Sequence, residues 1–352
     1  MRHRVPLLVA AAALSLAACG SDGEPATDSA TGSGSGTAAE VPSVVATTTM
    51  WADITRNVAC DGLAEITTII PAGGDPHSFE PSLRDRETMG NAALIVANGL
   101  GLEESLEDTI DAVEADGTTV VRVGEFVDTL PAGDDDHDDG DHDDGDHDDG
   151  DHDDGDHDDE VDTTTDEATD DDHDHGADDP HIWFDPTRVT ATLPAIADGL
   201  AGAGVDRAAL DACVAEYSSA LAALDNEVSA IVDSLPVGDR LLVTNHDSLS
   251  YFADRYGFTI LGSVIPSPSS LAATNPADLE ALATLITETG VPAIFAETQH
   301  SSSDTQALAD RVGDVEVVTL QTDTLGEPGS DTDDYTSWLT ATARSIVDAL
   351  SE

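Results

Sequence analysis

Lysine is absent from the 352-residue chain, whose twelve basic residues are all arginine. Neither a P-loop lysine nor Schiff-base chemistry can be built from such a sequence. Positive charge is scarce too: 73 acidic residues stand against those twelve, for a formal net charge of -61, which argues against nucleic acid as a partner. No His-Glu-x-x-His helix is present, so the commonest zinc-hydrolase signature is missing. Cysteine occurs three times, at Cys19, Cys60 and Cys213. A membrane-spanning apolar run is lacking as well, because the stretch over residues 5–16 is too short to cross a bilayer.

That short run follows Arg2 and Arg4 and leads into Leu16-Ala17-Ala18-Cys19. Small residues just before a cysteine look like a bacterial lipoprotein cleavage box. Residues 1–18 are therefore expected to be removed, and Cys19 to carry lipid that tethers the chain to the extracytoplasmic face of the cell membrane. The alternative is a plain secretory signal. Residues 19–42, dominated by Gly, Ser, Thr and Ala, read as a flexible tether. In an exported protein the economical pairing of the remaining cysteines is one disulfide, Cys60 to Cys213. Two separately buried thiols are the alternative, since spacing alone does not show that the two come within reach.

Alternating apolar runs and helical periods predict an α/β fold. A first lobe over residues 43–186 has strands near 44–47, 65–70, 93–97 and 118–123, with helices over 51–59, 83–90 and 102–115 between them, a pattern that gives a mostly parallel sheet. Two helices follow, over 188–203 with Pro194 inside and over 206–235, the second long enough to run the length of both lobes. A second α/β lobe fills residues 237–352.

Histidines stand in the strand-to-helix loops. Asp75-Pro76-His77 and Asp179-Pro180-His181 repeat one logic: an Asp-Pro turn fixes the backbone and presents an imidazole, with Trp183 and Phe184 able to bury the second flank. A lone histidine beside aromatics is more often a packed residue, so the case rests on the recurrence. His246 and Asp323 follow strands of the second lobe, at the carboxyl ends where α/β sheets bind ligands. Asp247, Glu297 and His300 lie in the same loops, but capping, a structural hydrogen bond and simple exposure explain them, and they stay outside the expected ligand set.

Between the lobes' motifs, residues 132–178 hold a repeated Asp-His-Asp-Asp-Gly pentad, and 27 of the acidic residues fall between Asp134 and Asp179. With no apolar period and dense like charge, this loop is expected to be disordered. His137, His142, His147, His152, His157, His173 and His175 are expected as auxiliary, weak metal ligands, against the alternative of a solvated tract that binds nothing specific.

The ordered motifs Asp75-Pro76-His77-Ser78-Phe79-Glu80-Pro81, Asp179-Pro180-His181-Ile182-Trp183-Phe184-Asp185-Pro186, His246 through Gly257, and Asp323-Thr324-Leu325-Gly326 resemble those of the zinc and manganese substrate-binding lipoproteins of ABC transporters, the ZnuA-like group. The resemblance covers the chain from about Val44 onward. It implies two α/β lobes joined by a rigid helix, a metal in the cleft between them, and His77, His181, His246 and Asp323 as ligands. It also implies a non-enzymatic, monomeric receptor that delivers its ion to an ABC-transporter membrane permease. Three imidazoles and one carboxylate make a borderline-soft tetrahedral set suited to Zn²⁺, whereas glutamate in place of His246 would favour Mn²⁺. Zinc is the expectation. Manganese on the same scaffold, a zinc buffer without a permease, and a zinc hydrolase with an open coordination position are the alternatives.

Overall fold

The computed structural model describes residues 41–60, 62–132, 178–299 and 301–351. The expected signal sequence, Cys19, most of the tether, His300 and the seven tract histidines lie outside the described residues.

The first lobe runs β1 (Ser43–Ala46), α1 (Thr49–Val58), β2 (Glu65–Thr68), α2 (Leu83–Gly90), β3 (Leu94–Ala97), α3 (Glu107–Ala115) and β4 (Val120–Arg122). β1 and β3 are short apolar runs buried almost throughout, as a parallel sheet covered on both faces requires. Every pairing is parallel, in the order β2-β1-β3-β4. The helix expected from residue 102 starts only at Glu107. Ahead of it Gly99, Leu100 and Gly101 all adopt left-handed φ values of 74°, 58° and 75°. The buried carboxylate of Glu103 holds that turn, accepting from the Asn98 N–H at 2.7 Å, the Gly99 N–H at 3.1 Å and the Thr47 hydroxyl at 2.6 Å. Hydrophobic periodicity carries no trace of such a polar clamp.

Two helices then connect the lobes. Asp185 caps α4 (Pro186–Gly202) by accepting from the Thr187 N–H, and Pro186 occupies the first turn, where its missing N–H is no loss. Pro194 is accommodated inside the helix. Asp206 caps α5 (Arg207–Val232), whose 26 residues reach about 39 Å at 1.5 Å per residue. Its buried stripe, Leu210, Cys213, Tyr217, Leu221, Leu224, Val228 and Val232, recurs every three or four positions. α5 packs against α1 of the first lobe, against its fellow connecting helix α4, and against the last helix of the chain. Cys60, just past α1, is joined to Cys213 of α5 by a disulfide, with Cα atoms 5.6 Å apart.

The second lobe repeats the plan: β5 (Leu241–His246), α6 (Ser250–Tyr256), β6 (Thr259–Ile265), α7 (Pro276–Thr289), β7 (Ala293–Glu297), α8 (Ser303–Val312), β8 (Glu316–Leu320) and α9 (Tyr335–Leu350). Its sheet is parallel in the order β6-β5-β7-β8. One apolar core continues from Val44 and Trp51 through Ile182, Trp183 and Phe184 to Trp338 and Leu350. The lobes therefore share a core, beside which a second apolar cluster, including Val45, Ile70, Met89, Ile95 and Ile110, lies within the first lobe alone.

Candidate metal centre

Both Asp-Pro-His tripeptides fold into the same small device. Proline has no N–H to offer, so the aspartate carboxylate reaches one residue further and accepts the histidine's own backbone N–H. The distance is 3.0 Å from Asp75 to His77 and 2.9 Å from Asp179 to His181. In the second tripeptide the same oxygen also lies 2.8 Å from Nδ1 of the His181 ring. The turn is secured from both lobes. The Asn98 amide donates to the Pro180 carbonyl at 2.9 Å, and the Tyr251 hydroxyl of α6 donates to the Asp179 carbonyl at 2.7 Å. The His77 loop is likewise tied across the cleft, through Ser270 to Asp75 at 3.1 Å and the Gly73 N–H to the Thr324 hydroxyl at 3.0 Å.

His246 is the last residue of β5, and Asp323 lies three residues beyond β8. Two tryptophan indoles hold the backbone just ahead of Asp323: Trp338 donates to the Gln321 carbonyl and Trp183 to the Thr322 carbonyl, each at 2.9 Å. His77, His181, His246 and Asp323 are all at most 1% exposed.

The four expected residues fall in two groups that share His246. Ligand atoms of His77, His181 and His246 lie within 4.8 Å of one another, and so do those of His246, Glu297 and Asp323. Nε2 of His181, from the first lobe, is 3.2 Å from Nε2 of His246, from the second. Two nitrogens bound to one tetrahedral Zn²⁺ at about 2.0–2.1 Å are separated by roughly 3.3 Å, so this pair already has the spacing of a tetrahedron's edge. Burial by itself opposes protonation of His246. The Glu297 carboxylate against its ring overrides that and raises its pKa above the ordinary histidine value, with Asp323 acting in the same sense and His77 against it.

Glu297 is the residue that sequence reasoning left out. It ends β7, and the neighbouring strands β5 and β7 are where the order of the second sheet reverses, the switch point at which open α/β sheets bind ligands. The available signal was a carboxylate closing the apolar run Ala-Ile-Phe-Ala, in the same strand-end position as His246.

Residues 44–349 match the profile of the family described as zinc-uptake complex component A, periplasmic. The chain belongs to this family. Among its relatives is the zinc-binding protein TroA of Treponema pallidum (strain Nichols), 30% identical over 317 residues that cover 88% of this chain and 89% of TroA. Another is the manganese-binding lipoprotein MntA of Halalkalibacterium halodurans, 24% identical over 310 residues, or 88% of each chain. The solved structure of the periplasmic zinc-binding protein TroA superposes with a TM-score of 0.70 at 27% identity, covering 88% of this chain and 99% of that one. Two parallel sheets flanked by helices are thus the family's fold as well as this chain's.

Proposed function

We propose that this family member is a non-catalytic receptor that captures Zn²⁺ outside the cytoplasm and hands it to an ABC-transporter permease, anchored to the membrane through lipid on Cys19. The observation that carries this reading is a group of three buried imidazoles, whose His246 also belongs to a second group holding the buried Asp323 carboxylate, so that the four donors come in pairs from the two lobes. Donors divided between lobes let an ion be released by a small opening of the cleft, which suits delivery better than storage. With His77, His181, His246 and Asp323 all engaged, a tetrahedral ion has no open position for a reacting water.

Manganese is the second reading, favoured by the Glu297 carboxylate within reach of His246 and Asp323, since a further oxygen donor hardens the set. Calorimetric titration of metal-stripped protein separates the two. Zn²⁺ is expected to bind tightly and to resist displacement by Mn²⁺. His246→Ala should lose that binding while His300→Ala keeps it. Equal losses in the two variants would remove the four-ligand assignment, and preferential binding of Mn²⁺ would refute zinc.

A further inference from the structure

Glu297 is 4% exposed and belongs to neither Asp-Pro-His motif nor the four-residue ligand set. Its two oxygens have separate tasks. Oε1 accepts from the Ser248 hydroxyl at 2.9 Å, and Oε2 lies 2.7 Å from Nδ1 of His246. A carboxylate oxygen this close to Nδ1 favours the hydrogen on that nitrogen, which leaves Nε2 as the nitrogen for a metal. Nε2 is also the atom that faces Nε2 of His181.

We propose that Glu297, itself held by Ser248, is a positioning residue that locks the His246 ring with Nε2 toward the cleft and so makes the third imidazole a preformed zinc donor. The inference deepens the zinc-capture reading and rests on it. A partner behind each ligating imidazole fixes both its orientation and its tautomer. The three histidines are not equally provided for. His181 has Asp179 at 2.8 Å and His246 has Glu297 at 2.7 Å, both carboxylates buried, whereas Nδ1 of His77 has Glu104 at 3.7 Å, with a side chain 40% exposed. Two donors, one from each lobe, are therefore anchored, and His77 is held mainly through its backbone. The competing arrangement makes Glu297 itself a ligand, which would require Oε2 to abandon His246.

The test compares wild type, Glu297→Ala, Glu297→Gln and Ser248→Ala, all metal-stripped. The readouts are zinc affinity by competition with a chromophoric chelator, the visible absorption of the cobalt(II)-loaded proteins, and melting of the metal-free proteins. Glu297→Ala should weaken zinc by about 10–100-fold and reduce the intense absorption of tetrahedral cobalt, with Ser248→Ala intermediate. Glu297→Gln should recover most of both, because its amide oxygen still accepts from Nδ1–H while Ser248 takes an amide N–H. Wild-type affinity and cobalt absorption in Glu297→Ala would overturn the proposal. A Glu297→Gln variant as impaired as Glu297→Ala would overturn it too: one oxygen fewer around zinc by X-ray absorption marks a direct ligand, and lowered metal-free melting marks a merely structural group. Failure of the wild type itself to bind zinc tightly would instead refute the capture reading.

Discussion

Each of the three tryptophans donates its indole N–H at 2.9 Å to a segment that carries or supports the centre: Trp51 to Asn98, Trp183 to the Thr322 carbonyl and Trp338 to the Gln321 carbonyl. Trp183 is the informative one, because it sits two residues after His181 in the first lobe and steadies the backbone next to Asp323 in the second. Trp183→Phe keeps most of the apolar contact but leaves a buried carbonyl unpaired, at about 1–3 kcal/mol. Denaturant unfolding should show that loss, and zinc titration should show a weaker site. Unchanged affinity would mean that Asp323 is held by other contacts. At this scale the sequence was legible wherever a side chain announced itself locally. Asp-Pro-His is such a case, since proline and the neighbouring carboxylate act within three residues. Glu297 was not, because its partners Ser248 and His246 are about fifty positions away in sequence and only the fold brings them together.

Among elements, the segment linking β3 to α3 is where periodicity misled, and one carboxylate explains why. Burial raises the pKa of Glu103 above its usual 4.5, against the lowering effect of hydrogen bonds from Thr47, Asn98 and Gly99. Unfolded, this group loses its proton near 4.5; folded, it holds the proton to higher pH. Over that interval the native state binds more protons, so the residue's contribution is present in full below the unfolded value and is lost as pH rises through the folded one. Glu103→Gln cannot titrate. The wild-type-minus-variant difference in unfolding free energy, measured by urea denaturation of metal-free protein, is therefore expected to shrink as pH rises from 4.5 toward neutrality. A difference that is flat or grows would contradict this. The other elements were readable because fully apolar strands and the three-and-four stripe of α5 are imposed by burial itself. Their ends moved by a few residues where caps such as Asp206 decide the boundary.

For the whole molecule, charge and topology pull in different directions. Much of the -61 charge falls in the sequence over residues 134–179, whereas the apolar core that unites the lobes is built from residues on either side of it. The described residues that flank the tract lie side by side. Pro131 pairs with Asp178 in an antiparallel bridge, and the Asp179 N–H donates to the Leu130 carbonyl at 2.9 Å. With those ends already adjacent, a shorter connection closes at lower entropic cost. Deleting residues 134–174 should barely change the melting temperature and should preserve one tight zinc equivalent. It should also remove weaker equivalents held by the tract's histidines and slow capture when zinc is scarce, and a zinc titration of both forms shows whether it does. Loss of the tight equivalent would make the tract a source of primary ligands; no change in the weak ones would make it a solvated charge run. The two-lobe plan was legible from alternating apolar runs, whereas the sharing of one core between lobes was not, since periodicity says which face is buried but not against what.

The decisive measurement is anomalous diffraction at the zinc edge from crystals of the zinc-loaded protein. One strong peak is expected between the lobes, within about 2.0–2.2 Å of His77, His181 and His246 ring nitrogens and an Asp323 oxygen, with Glu297 still against Nδ1 of His246. A peak elsewhere, or an ion at this place that omits His246 or Asp323, would contradict a zinc receptor built on these four residues.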